Sequence, residues 1–432
     1  MRLLLERAVL GEEVVDDVLV EIVDGRFSSV TPGADDPTAQ VLPGLAMPGF
    51  ANVHSHAFHR ALRGRTQRTG SFWSWREEMY RLAERLDPDR LHDLAVVTFT
   101  EMLCAGVTSV GEFHYLHHGP GGRRYDDPNA MGRALLAAAA EVGIRITLLD
   151  TCYLAAGIDR PPEGVQVRFS DGDAEGWALR VAELQSTDTA RVGAAIHSVR
   201  AVPRDQLPTV ALAAGDRPLH VHLSEQVAEN DETLVAWGLT PTEALAAAGA
   251  LGPATTAVHG THLTSDDVGM LGRARAYVCF CPTTERDLGD GIGPSCELAA
   301  AGARLTLGSD SQAVIDLFEE MRSVELHERL ATQRRGLWEP PALLAAATST
   351  GQGSLGFDDA GRIAVGARAD LVIIDPESPR TAGADASVAG LVFTAASPDV
   401  VAVMVDGRWH DVPALRADLG PRLERAIIRA WA

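Results

Sequence analysis

Between about Ala51 and Gly308 the chain alternates, eight times, short apolar runs with Ala/Leu-rich helical patterns. That alternation constrains the fold more than any other feature. Repeated β/α units build a parallel sheet covered by helices, and eight of them suit a closed barrel better than an open sheet. The strands are expected near Ala51–His56, Thr108–Phe113, Arg145–Leu149, Val192–His197, Leu219–Leu223, Thr256–His259, Ala276–Phe280 and Arg304–Gly308. Helical patterns fall between them at Leu91–Ala105, Ala130–Val142, Ala174–Leu184, Thr240–Ala248 and Asp266–Gly272. Gly119–Asp127 is the clearest flexible loop.

Both ends have a different texture. Val18, Val20 and Ile22 alternate with Leu19, Glu21 and Val23, and Asp24-Gly25 supplies a tight turn. Buried-strand runs return at Asp370–Asp375 and Val400–Val405. The fold expected is a (β/α)8 barrel at 47–359. A small β-sandwich domain comes from both termini, at 1–46 and 360–432, with a C-terminal tail.

Acidic residues outnumber basic ones, 59 to 38, for a formal net charge of −21. That sign argues against nucleic-acid and anionic-membrane partners, so an anionic substrate needs locally placed arginines. Five cysteines are an odd number, which disfavours a disulfide framework and suits a reducing compartment. The start, MRLLLERAVLGEEVVDD, lacks a signal-peptide apolar region, and no apolar run reaches the ~18 residues of a membrane helix. A cytoplasmic protein is expected. Cys104, Cys152 and Cys296 sit in apolar runs as small hydrophobes. Cys279 and Cys281 lack the second ligand pair of a zinc-finger site. Trp73 and Trp75 suit packing or subunit contact.

The chemistry concentrates at strand ends. In Pro48–His56, His54 and His56 stand two apart at the exit of the first barrel strand. Alternation puts both imidazoles on one face, converging on the barrel axis. An H-x-H alone is weak. However, Pro218–Glu225, Thr256–His259 and Leu307–Ser311 bring His222, His259 and Asp310 to the same rim. Imidazoles with a carboxylate suit a divalent metal that keeps an open position.

These segments resemble the amidohydrolase superfamily of metal-dependent barrel hydrolases and deaminases, over nearly the whole chain. The resemblance implies His54, His56, His222 and Asp310 as ligands of one divalent ion, Zn²⁺. Strand four (Ala194–Ser198) has no Lys to bridge a second metal. His222-x-x-Glu225 matches the deaminase branch, in which Glu225 carries a proton to the substrate nitrogen. His259 would hydrogen-bond the attacking water, and Asp310 with His259 would take its proton. His220, one layer deeper, is read as packing or support.

Four longer stretches, HSHAFHRAL (54–62), SFWSWREEMY (71–80), GEFHYLHH (111–118) and CPTTERDLGDG (281–291), resemble the formimidoylglutamate deiminase family. That implies hydrolysis of N-formimidoyl-L-glutamate to N-formyl-L-glutamate and ammonia in histidine degradation, by a homodimer. His197 and Arg200 would hold one substrate carboxylate, and Arg76 and Tyr115 the other. Guanidinium forks suit such carboxylates. Read alone, Arg76 suits an ion pair with a neighbouring Glu, and Tyr115 a pocket wall. The chain departs from the family pattern at His59, a substrate-side residue where Gln is common, and at Gln312, where His occurs elsewhere. Two alternatives remain at this point. One is a deaminase or ring hydrolase acting on a nucleobase-like substrate, which would not need Arg76 and Arg200. The other is a metal-free scaffold, against which the intact His54, His56, His222, Asp310 and Glu225 speak.

Overall fold

A computed structural model describes residues 1–67 and 72–432, with backbone alone at 72 and 73. Ser71 and the Trp73 side chain, read above from sequence, lie outside what is described. Fifteen strands occur among the described residues. They are β1 (Arg2–Leu10), β2 (Glu13–Val23), β3 (Arg26–Thr31), β4 (Gln40–Met47), β5 (Phe50–Ser55), β6 (Val107–His114), β7 (Arg145–Cys152) and β8 (Ala190–Ile196). Then follow β9 (Leu219–Leu223), β10 (Thr255–His259), β11 (Tyr277–Phe280), β12 (Arg304–Leu307), β13 (Leu371–Ile374), β14 (Val400–Val405) and β15 (Arg408–His410).

Strands β5 to β12 form one eight-stranded parallel sheet in chain order. Each ordered neighbour pair is parallel, as helical crossovers require. The first and last strands meet through a parallel bridge between Ser55 and Asp310. Asp310 N–H donates to His54 O at 2.9 Å, and His56 N–H donates to Asp310 O at 3.2 Å. Gly308 permits this approach, since a Cβ there would stand 2.8 Å from His54 backbone atoms. All eight strands fall where alternation places them. The largest difference is β7, which runs on to Cys152 because Leu148–Cys152 are all buried.

The termini build one continuous seven-stranded sheet, ordered β15-β14-β13-β4-β1-β2-β3. Its core gathers Leu3, Leu5, Val18, Val20, Phe27, Ile373 and Met404. Asp24, at the expected turn, and Asp406, each before a Gly, take the left-handed conformation that tight hairpin turns need. The Gly119–Asp127 loop is tied down at its start, where His118 N–H donates to Arg168 O at 2.9 Å and Gly119 N–H to Arg123 O at 2.8 Å. The C-terminal tail contains a 20-residue helix, Val412–Trp431, packed on helix Pro88–Cys104. Gly420 and Pro421 at its centre mask it in sequence, since both are helix breakers. No helix among the described residues is long and apolar enough to cross a membrane.

A buried ion pair joins the two sheets. Arg145 on β7 donates to Asp370 Oδ1 at 2.9 Å and to Asp406 Oδ1 at 3.0 Å, and its other terminal nitrogen meets Asp370 Oδ2. Asp370 also accepts from Asp406 N–H at 3.0 Å. Removing one member leaves a buried charge unpaired. We expect Arg145→Leu to lower unfolding free energy by ~3–5 kcal/mol in denaturant titration. A loss below ~1 kcal/mol would show that the pair is not an anchor.

Candidate active site

The C-terminal rim of the barrel brings the strand-end residues together. His54 and His56 project from the exit of β5, His222 from β9, and Asp310 follows β12. His54 Nε2 lies 3.1 Å from His222 Nε2 and 3.4 Å from Asp310 Oδ1, which is also 3.4 Å from His56 Nε2. Backbone carbonyls set two of the rings: His56 Nδ1 lies 2.8 Å from Phe113 O, and His222 Nδ1 2.9 Å from His197 O. Each Nδ1 must therefore carry the proton, which leaves each Nε2 a bare lone pair. Burial pushes all three imidazoles below their ordinary pKa, so they are neutral. Burial opposes ionisation of Asp310 too, but a hydrogen bond from His54 and the positive charge of His259 hold its carboxyl well below the usual range.

The His54 and His222 ring nitrogens approach to 3.1 Å, and the Asp310 carboxylate stands 3.4 Å from His54 and His56. Bonds of ~2.0–2.1 Å to one ion give separations of this size. Three neutral imidazoles and a carboxylate therefore fit a divalent cation of borderline hardness. His220 is not in this set. Its Nε2 faces Ser354 O at 3.4 Å, on the barrel floor.

Beside the cluster stands a second group. Ser224, with φ 51°, turns the chain so that Glu225 enters the pocket three residues after His222. Glu225 Oε1 is 3.9 Å from His259 Nε2, and Asp310 Oδ2 is 3.7 Å from it. His259 Nδ1 meets Glu285 Oε1 at 3.2 Å, and Glu285 also accepts from Cys281 N–H at 2.8 Å. Burial disfavours charge on His259, yet Glu225, Glu285 and Asp310 together raise it well above its ordinary pKa. Burial also raises Glu225. A cationic imidazole thus sits among three carboxyl groups.

The pocket above them is walled by His59, Trp75, Arg76, Tyr115, His197 and Arg200, with His56, His222, Glu225, His259 and Asp310 at its base. His54 lies beneath, touching His222 and Asp310. Every residue singled out for chemistry thus falls in or under one pocket. His59 Nε2 lies 2.9 Å from Tyr115 Oη, so these two are bonded to each other. Burial holds His59 near 3 and the Tyr115 phenol well above its ordinary value, so both are neutral. Trp75 meets the His59 ring edge-on at 5.1 Å and packs as a pocket wall.

Sequence reasoning missed Glu285, although it stands inside the quoted CPTTERDLGDG stretch; only the fold aims it at His259. It also missed Glu229, on helix Val227–Trp237, whose Oε2 lies 3.7 Å from Arg200 Nε. Burial pushes Glu229 up to about 7. Tyr153 and Phe169 complete the wall, with no signal beyond being aromatic. Another candidate ligand group, His114, His117 and Asp150, lies apart from this pocket. There Asp150 already accepts from Trp177 Nε1 at 3.1 Å and from Arg180 at 2.8 and 2.9 Å. All five cysteines are free, and none belongs to a ligand group among the described residues.

The barrel and this rim define a hydrolase class. The Amidohydrolase family model matches residues 45–410, and the chain belongs to that family. It is a hydrolase acting on C–N bonds. A formimidoylglutamate deiminase of Pseudomonas aeruginosa is 38% identical over 425 residues, covering 94% of this chain and 93% of that protein. The crystal structure of an amidohydrolase from Brucella melitensis superposes with TM-score 0.92 at 31% identity, covering 100% of both chains. An adenosine deaminase from Xanthomonas campestris, solved with bound zinc, shares the fold at TM-score 0.84 and 22% identity, covering 98% of both chains.

Metal analysis of the purified protein is expected to find about one divalent ion per chain, lost on His56→Ala. Two ions per chain would contradict a single-ion centre at this rim.

Proposed function

We propose that the chain hydrolyses N-formimidoyl-L-glutamate to N-formyl-L-glutamate and ammonia, in histidine degradation. The observation that carries this reading is the polarity of the pocket. Its base holds the three-histidine, one-aspartate cluster with Glu225 beside it, and its wall carries two arginines, Arg76 and Arg200. A neutral ring has no use for two guanidinium groups, whereas a linear amidine bearing two carboxylates has. The similarity to the Pseudomonas protein supports the same substrate.

In this reading His54, His56, His222 and Asp310 hold one Zn²⁺. Such an ion, when bound, makes hydroxide available near neutral pH by acidifying water. Asp310 accepts the water proton, and the cationic His259 orients the attacking oxygen. That oxygen bonds to the formimidoyl carbon. Glu225, whose pKa burial raises, carries a proton to the leaving nitrogen. The added hydroxyl then returns its proton to Glu225 as the formyl C=O forms, the C–N bond breaks and ammonia departs. General acid–base help of this kind contributes about 10²–10⁴-fold. Arg200 with His197 forks one carboxylate, while Arg76 and Tyr115 hold the other. His59 supports Tyr115 through their mutual hydrogen bond. The enzyme is proposed to be a cytoplasmic homodimer with small-molecule ligands only.

Arg200→Met removes a charge-assisted fork and is expected to reduce kcat/KM for formimidoylglutamate by ~2–4 kcal/mol, roughly 30- to 1,000-fold. Most of the loss should appear in KM, because the contact exists in both ground and transition states. Metal content should not change. Glu229, near 7, takes up a proton when its partner is gone, so the fold should persist. Unchanged kcat/KM would place the carboxylate pocket elsewhere and favour a neutral-ring substrate.

A further inference from the structure

The seam between β5 and β12 carries a file of buried polar side chains that the chemistry above does not use. Asn52 Nδ2 donates to Ser309 Oγ at 2.7 Å, and Ser309 N–H returns a bond to Asn52 Oδ1 at 2.9 Å. Ser309 Oγ donates to Gln312 Oε1 at 2.7 Å. Gln312 Nε2 donates to Ser55 Oγ and to Asp310 O, both at 2.9 Å. Ser55 Oγ donates to Glu112 Oε2 at 2.7 Å, and Ala57 N–H donates to Glu112 Oε1 at 2.7 Å. All five side chains are buried.

The direction of these bonds is consistent from end to end. Each hydroxyl accepts one bond and donates one, and both hydrogens of the Gln312 amide are used. Gln312 is the hub, because its amide touches both strand ends that carry the candidate ligand residues. Through Ser55 it reaches the residue between His54 and His56. Through the Asp310 carbonyl it reaches the backbone of the fourth ligand. Asp310 and Gln312 both have left-handed backbone, at φ 44° and 61°. Non-glycine residues stay there only where surrounding contacts over-determine them.

We propose that Gln312 is a positioning residue for the metal centre. Its amide fixes the Asp310 carboxylate against His54 and His56, so that the four ligand atoms keep the geometry one ion requires. This deepens the metal-centre reading above and rests on it. A glutamine that only closed the barrel would influence stability, but not the coordination sphere.

The test uses the full chain loaded with Co²⁺, whose visible absorption reports coordination geometry. Gln312→Leu removes both donors and the acceptor. Gln312→Glu keeps length and shape but turns the donor into an acceptor facing Ser55 and the Asp310 carbonyl. Both should alter the Co²⁺ band and release the ion to a chelator about 10- to 100-fold faster, the range seen when groups supporting metal ligands are lost. Ser55→Ala should do the same to a smaller degree. Gln312→Leu combined with Ser55→Ala should be no worse than Gln312→Leu alone, since the two act in series. If the Gln312 variants fail to fold, Ser55→Ala carries the test by itself. A folded variant with wild-type band and release rate, even one with a lowered melting temperature, overturns the positioning role alone. A wild-type protein that takes up no Co²⁺ overturns the metal-centre reading and this inference with it.

Discussion

The structure depends on a pair of backbone hydrogen bonds at the barrel seam. Asp310 donates to His54 O and accepts from His56 N–H, so its peptide lies between those of the two histidines. This register closes the eight-stranded sheet and at the same time sets the His54 and His56 Nε2 atoms each 3.4 Å from Asp310 Oδ1. The fold is thus completed, and three of the four candidate metal-ligand residues assembled, by the same contact. A slip of one residue in that register would turn every side chain of the strand to the other face. Gly308 is part of the constraint, since any Cβ would meet His54.

Electrostatics divide the pocket above this seam. At its base, burial lowers the imidazoles of His54, His56 and His222 and raises Glu225, while the carboxyl groups of Glu225, Glu285 and Asp310 raise His259. On the wall, Arg200 faces the pocket with Glu229 behind it, and burial pushes Glu229 up to about 7. The cluster of His259 and carboxyl groups and the arginines therefore occupy separate parts of one small cavity. In a chain of net charge −21, the arginines act by local placement.

Much of this was legible in the sequence, because β/α alternation has a strong period and ligand-type residues stand at strand ends. Val53–His56 and Leu219–Glu225 show both signals at once. What stayed hidden depends on long-range geometry. Glu285 is one acid among several in its stretch until the short helix Pro282–Leu288 after β11 aims it at His259. Glu229 is an ordinary helix residue until helix Val227–Trp237 packs it behind Arg200. The C-terminal helix was obscured by Gly420 and Pro421, whose local preference is outweighed by packing on helix Pro88–Cys104. Gln312 was visible only as a departure from a family pattern; its contacts to Ser55 and Asp310 cross the seam.

The central claim is that the barrel rim is built for a linear amidine with two carboxylates. The most direct measurement is ammonia release by the zinc-loaded protein from N-formimidoyl-L-glutamate, its neutral diamide, adenosine and 8-oxoguanine at equal concentration. The account expects turnover of formimidoylglutamate at least about 10²-fold above each of the others, the size of discrimination a site reaches when its buried polar groups lose their partners. Comparable or faster release from a nucleobase substrate would contradict it.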